Sequence, residues 1–496
     1  MWFYKYKILV KAAVLNIIFI MFCNAGFCQA LSTDTIFFHY NKDVLNPPSR
    51  SYAYDQTLVL KLFCSQALFD GKYKRRDNGK SEVYQTFSSA LDVIKRIDKL
   101  TLGIPKIVYL VGWQYNGHDS KYPAFFDANK RLKRPQDSTA NQSLKWLMKE
   151  AFKYHTTVSL HINMLDAYED SPLWDEYVKY NIIAKAKDGT ILKSEWGSPV
   201  SYAKEWSLGY TQKRIDSLCR LLPIEKAGTI HIDAFHTYPP LIKKDSSGKD
   251  YVDLSPKIIS PYLSYTIADE QKAQENIFNY FNSKHIDVTS EGVDFLRPTS
   301  FEGLQPMAWW FPGELNNYLK WPASYYCGGV DESEWGQLFG TSMHGEDIIK
   351  KDPKNLKGWK EQFCTHTLVW MYLNKLNRLF LIQSKTGKQM HYENKVVVKL
   401  NNDNYRIITA GMATLVNGED VLMPAVWITK PALIAYSKNG YSEKSWQLPG
   451  KFSRYKNFKM YKVTQQGNQL LRTLHATNEK LVLTVPPDEM LLLEAY

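Results

Sequence analysis

The chain is short of several things, and each shortage closes off a class of function. It has 6 cysteines in 496 residues. None form a C-x-x-C pair, so neither a zinc knuckle nor a disulfide framework is indicated. No His-Glu-x-x-His run is present, which removes one signature of a zinc hydrolase. The 62 Lys and Arg against 50 Asp and Glu leave a formal charge of +12, yet no dense basic block of the kind that marks nucleic-acid binders stands out. The N-terminal apolar run, Ala12 to Phe22, is too short to span a bilayer. Internal repeats and low-complexity tracts are not evident.

That apolar run follows Lys5, Lys7 and Lys11 and precedes Cys28-Gln29-Ala30, small residues where a signal peptidase reads. Residues 1–30 are therefore expected to be a signal peptide, cleaved near Ala30 and exporting the chain to the periplasm or beyond. A lipid anchor on Cys23 or Cys28 fits less well, because a Phe precedes each. Without this segment the charge falls to about +9. Such a surface suits acidic glycans or is simply solvated. Of the remaining Cys64, Cys219, Cys327 and Cys364, Cys219 lies on the apolar face of an expected helix and reads as core.

What is present suits a large globular protein. The apolar fraction is 44% and the charged fraction 23%, ordinary for a soluble chain of two or three domains. The 14 Trp and 32 Tyr suit stacking on sugar rings and large cores alike. Residues 31–100 read as an N-terminal β segment (Ile36 to Phe38, Leu58 to Leu62) and a lead-in helix from Ser88 to Leu100. From 101 to 385, buried strands alternate with amphipathic helices: Lys106 to Gly112, Thr157 to Asn163, Thr229 to Asp233, and His285 to Glu291. Each follows a helical stripe such as Leu144, Leu147, Met148 and Ala151, or Ile215, Leu218, Cys219 and Leu222. That alternation argues for a (β/α)8 TIM-type barrel. Pro239 to Pro261 reads as a long loop on the open face, and Trp359 to about Leu381 as a helix closing the barrel. From 386 to 496, short alternating runs with turns at Asn417-Gly418 and Asn439-Gly440 predict a C-terminal antiparallel β-sandwich domain.

The barrel reading gives the strand ends a role, since residues at the carboxyl ends of barrel strands share one open face. Asp233 ends one such strand and Glu291 the next. Two carboxylates there are the minimum for splitting a glycosidic bond: a nucleophile and an acid/base, about 5 Å apart if configuration is retained. Asp287 and Asp294 compete with Glu291, and either carboxylate could instead cap a helix. Gly117-His118-Asp119-Ser120 reads as a sugar-binding turn or as a helix cap. His161 and Asn163 share one strand face, as do His231 and Asp233. His118, His161, His231 and His236 could also be assembled into a metal site, although the expectation is no metal and no cofactor. Trp113, Trp196, Trp206, Trp309 and Trp310 are stacking candidates that could equally be core.

Gly117-His118-Asp119-Ser120, then Leu160-His161-Ile162-Asn163 with Tyr168 beyond, then Ile232-Asp233, occur in the order found in glycoside hydrolase family 101. The chain resembles these endo-α-N-acetylgalactosaminidases, which act on mucin-type O-glycans, from about Leu100 into the C-terminal domain. The resemblance implies a barrel followed by a β-sandwich, and a retaining mechanism with Asp233 as nucleophile and Glu291 as acid/base. It also implies sugar-binding roles for His118, Asp119, Asn163, Asp166 and Trp206. The chain departs from the family in its shorter length, a longer segment between the two carboxylates, and Gly292-Val293-Asp294 after Glu291 in place of a Trp-Gly pair. The expected partner is a carbohydrate, either an O-glycan or a glycopeptide. An exo-acting α-galactosaminidase or α-galactosidase on the same barrel, and a non-catalytic glycan-binding barrel, are the alternatives.

Overall fold

The computed structural model describes residues 35–37, 51–70, 76–194, 196–233, 235, 241–253, 258–290, 305–306, 334–344 and 346–496. The expected signal peptide therefore lies outside the described residues. The central sheet contains β1 (Leu58–Phe63), β2 (Lys106–Val111), β3 (Thr156–Asn163), β4 (Thr229–Asp233), β5 (Asp287–Ser290), β6 (Gln305–Pro306) and β7 (Met343–His344). They lie in the spatial order β7-β1-β2-β3-β4-β5-β6, every neighbouring pair parallel. Among the described residues β6 and β7 do not pair with each other, so what is seen is an open, half-barrel sheet. β1 comes from the stretch 31–100, the segment read as leading into the barrel.

Every residue of β1, β2 and β3 is buried, as expected of parallel strands covered on both faces. Alternation sorts their side chains. Leu58, Leu60, Leu62, Val108, Leu110, Val158, Leu160, Ile162, Ile230 and Ile232 join the large core under the helices. Val59, Ile107, Tyr109 and Met343 gather with Tyr54 in a separate inner cluster. The helix Phe87–Leu100 starts where Thr86 accepts a hydrogen bond from the Ser89 amide, and Ala140–Ala151 starts with a capping box of Thr139 and Gln142. These caps satisfy amides the helices leave orphaned.

Two local expectations differ. The helix from Trp359 ends at Leu373 rather than near Leu381, and Arg378–Ser384 is a strand. After Asn374 the apolar spacing changes from 3.6 to 2: Leu379 is exposed and Leu381 fully buried. Within the expected long loop, Leu241–Lys244 and Asp250–Asp253 form an antiparallel hairpin. Its turn is held by Asp245 Oδ1, which accepts from the Ser247 and Lys249 amides, with Gly248 at φ +81.

Beyond Arg378 an antiparallel sheet takes over, and Thr35–Phe37 adds to its edge against Ile382 to Phe380. Its two faces bury different partners. Ile434, Tyr436, Met490 and Leu492 face the barrel core. Leu433, Ala435, Leu491 and Leu493 pack with Trp446, Leu481 and Leu483 of the small sheet formed by Tyr441–Gln447 and Lys480–Val485. Two layers thus enclose a second core, a sandwich arrangement. Trp427 Nε1 donates to the Thr101 carbonyl (3.1 Å) and Arg406 Nη1 to that of Gln337 (3.0 Å), tying the sheet to the barrel.

Candidate active site

The site grows from strand register. His161 pairs with His231 and Asn163 with Asp233, while Thr289 and Ser290 oppose His231 and Ile232. Because successive side chains alternate, Thr229, His231 and Asp233 share a face turned away from the helices. Lower down that face, Tyr54 and Tyr109 hydroxyls meet Thr229 Oγ1 at 2.9 and 2.6 Å. Asp233 sits at the carboxyl end of β4, where its side chain keeps 15% of its surface open. Its Oδ1 lies 3.5 Å from Nε2 of the buried His161. Asp287, the rival carboxylate, is at the opposite end of β5, where it accepts from the Ser51 amide (2.8 Å) and Tyr54 (3.1 Å).

The loop leaving β2 brings a second carboxylate to Asp233. Gly112 has φ +70, and a Cβ there would lie 1.8 Å from the Ser65 carbonyl oxygen; at Gly117 it would lie 2.7 Å from the Ala67 nitrogen. Only glycine allows this close crossing. The His118 amide then donates to Ser65 O (2.9 Å), stitching the loop to the chain leaving β1. Asp119 and Lys121 are held at φ +61 and +62, a conformation costing about 1–2 kcal/mol per residue. Their neighbours keep them there. Asp77 accepts from Ser120 Oγ (2.6 Å) and Asn116 Nδ2 (3.0 Å), and Lys121 Nζ reaches Asp170 (2.6 Å). Further along, Arg214 grips Glu205 at 2.7 and 2.8 Å and donates to Pro123 O at 2.8 Å. Backbone strain of this kind concentrates at functional sites.

His118 Nε2 lies 3.3 Å from Asp119 Oδ1. Ligand atoms of His118, Asp119 and Asp233 all fall within 4.8 Å of one another, a spacing that would also suit a cation. Beneath them Asp166 is fully buried, and its carboxyl is pushed up to about 7 by burial first and then by the charges of Asp119 and Asp233. Asn163 holds it: Nδ2 donates to Asp166 Oδ2 (2.8 Å), and Oδ1 accepts from the Leu165 and Asp166 amides (2.8 and 2.9 Å). Both ends of the Asn163 side chain are thus engaged with its own turn. Gly197 lines the other side of Asp166, where a Cβ would stand 3.3 Å from Asp166 Cβ. Tyr168 and Tyr202 are buried here, their hydroxyls without a hydrogen-bond partner among the described residues. Burial raises both phenols well above their ordinary value, and the charge of Asp166 adds to it.

The structure therefore brings Asp233, His118, Asp119, Asn163 and Asp166 together. Trp206 is not brought to this group: it packs edge-on against Tyr280 in the helix layer (6.0 Å between ring centroids). Trp113 is fully buried and donates to the His161 carbonyl (3.0 Å), a core role. Trp196 is half-buried. Glu291, Asp294, His236, Trp309 and Trp310 lie outside the described residues. Tyr202 escaped the sequence reading because it sits on a short helix, Tyr202–Ser207, with no strand-end signal. The charge of Asp166 acts on the Tyr202 phenol, and its ring packs edge-on against Phe235 (5.5 Å).

Residues 73–252 match the family model described as endo-alpha-N-acetylgalactosaminidase. The matched segment carries His118, Asp119, Asn163, Asp166 and Asp233. Among solved structures, alpha-N-acetylgalactosaminidase NagBb from Bifidobacterium bifidum in complex with Gal-NHAc-DNJ is similar at TM-score 0.51 and 12% identity, over 74% of this chain and 59% of that chain. The ligand-free form of the same enzyme is similar at TM-score 0.50 and 12% identity, with the same shares of the two chains. These likenesses speak to the fold. The chain spans 59% of the length of the structures it matches.

Proposed function

We propose that this protein is an exported, retaining glycoside hydrolase that cleaves α-linked N-acetylgalactosamine from mucin-type O-glycans, on a closed (β/α)8 barrel. The observation that carries this reading is Asp233: an open carboxylate at a strand's carboxyl end, beside His118 and Asp119, inside the segment that matches the family. Export rests on the sequence of residues 1–30.

In this reading Asp233 attacks C1 of the sugar. The bond from C1 to the glycosidic oxygen breaks, its electron pair goes to the departing oxygen, and that oxygen takes the proton held by Glu291. Water then attacks C1, passes a proton to the Glu291 carboxylate, and the C1–Asp233 ester bond breaks, leaving the configuration retained. Support for Glu291 comes from chain position. It follows Ser290, whose register partner Ile232 precedes Asp233 in the neighbouring strand. Asp166, pushed up to about 7 by burial first and then by the charges of Asp119 and Asp233, carries only part of a third charge beside them near neutral pH, and Asn163 holds it in place.

The test uses the full chain on aryl α-N-acetylgalactosaminides carrying either a single sugar or a disaccharide, and on an aryl α-galactoside. Release of an intact disaccharide, with the α anomer formed first by NMR, is the expected result. Asp233→Asn should lower kcat by several orders of magnitude, in line with loss of a covalent nucleophile. Release of a monosaccharide alone would make the enzyme exo-acting. Binding of mucin glycopeptides without any turnover would make the protein a glycan-binding barrel.

A further inference from the structure

We propose that His161 is a positioning residue for Asp233, setting the rotation of its carboxylate from the strand beside it. This rests on reading Asp233 as the nucleophile. His161 is 2% exposed and projects from β3 two register steps below the Asn163–Asp233 pair, on the same face. Its Nε2 stands 3.5 Å from Asp233 Oδ1, a separation that closes to a hydrogen bond with a small turn of the carboxylate.

The imidazole is flanked by two other rings, and its backbone is fixed behind it. Its ring lies 5.5 Å from that of His118, with the planes at 70°, and 5.0 Å from that of His231, with the planes at 30°. His231 is itself fixed by Thr289, Nδ1 to Oγ1 at 2.9 Å. Behind it, the His161 carbonyl accepts from the fully buried Trp113 indole (3.0 Å). A ring packed this way has little room to turn. A carboxylate's last torsion is broad and roughly twofold, so Asp233 alone does not select which oxygen faces the sugar. With its proton on Nε2, His161 directs a donor at Oδ1 and so selects it, and a donor on a strand is more precise than one on a loop.

The experiment measures kcat and KM of the full chain on an aryl α-N-acetylgalactosaminide for wild type, Asp233→Asn, His161→Ala, His161→Asn and His161→Gln. The glutamine amide reaches the place of Nε2, whereas the asparagine amide reaches only that of Nδ1. His161→Ala and His161→Asn are expected to lose about 100-fold in kcat with KM held within about threefold, the size of effect seen when one fixed donor is removed. His161→Gln should stay within about tenfold of wild type. A purely structural role would lower all three alike, or raise KM. If His161→Ala does not fold, the two amide variants still decide, and equal losses in both overturn the proposal. So does a His161→Ala kcat within about threefold of wild type while Asp233→Asn is inactive. If wild type has no turnover or Asp233→Asn keeps it, the reading of the site itself fails and this role falls with it.

Discussion

Asp166→Asn turns the burial of Asp166 into a measurable pH effect. The carboxyl is buried and is pushed up to about 7 from 3.8 by burial and then by the charges of Asp119 and Asp233. Between those values the unfolded chain releases a proton that the folded chain keeps. Stability from this group is therefore full below pH 3.8 and is lost as pH rises through 7. At 1.36 kcal/mol per unit the whole window amounts to about 4 kcal/mol, of which roughly 3 kcal/mol falls between pH 5 and pH 8. The substitution removes the ionisation and keeps the shape, since the amide oxygen can stand in for Oδ2 and accept from Asn163 Nδ2. Any fixed packing cost is the same at both pH values. The stability of Asp166→Asn relative to wild type should thus be about 3 kcal/mol more favourable at pH 8 than at pH 5. Urea unfolding followed by tryptophan fluorescence at the two pH values reads this difference directly. An equal offset at pH 5 and pH 8 would refute the claim that Asp166 is buried in its neutral form.

Two further outcomes follow from other groups. Treatment with EDTA should leave hydrolysis unchanged, because the reading has Asp233 attack the sugar without a metal; loss of rate restored by zinc would mean that the His118, Asp119 and Asp233 cluster works through a metal. His344 is buried in neutral form and its pKa is lowered to about 4, chiefly by burial. Its stabilising contribution is present above pH 6.5 and lost as pH falls toward 4, about 3 kcal/mol in all. His344→Gln should flatten the unfolding midpoint over that range in urea titrations, and an unchanged slope would show that the ring is not the group responsible.

How far the sequence reaches depends on the range of the interaction. The strand Thr229-Ile230-His231-Ile232-Asp233 was legible because alternation is local: Ile230 and Ile232 had to face helices, which left His231 and Asp233 on the other side. The same rule placed His161 and Asn163 together. That these two pairs stand in register, His161 beside His231 and Asn163 beside Asp233, is a long-range fact that no local pattern contains. Leu58–Phe63 shows the same limit. Its apolar run marked a strand, but nothing in it told which sheet it joins, and it pairs with Lys106–Val111 in the central one. Helix length misled for another reason, since Asn374 stops the helix and the following apolar residues fit either period until their exposure is known.

Side-chain roles were harder to read than side-chain positions. Asn163 carries the residue type of a sugar ligand, yet its oxygen takes two amides of its own turn and its nitrogen takes Asp166. Trp206 has the chemistry of a stacking platform, but its helix presents it to Tyr280. In each case the fold supplies a partner, the Asn163 turn with Asp166 and the Tyr280 ring. What marks Asp233 is its place, a carboxylate at a strand end whose side chain keeps open surface while Asn163 and Asp166 are buried. Substitutions at Asn163 should then act through the geometry of Asp166, lowering kcat and stability together rather than raising KM.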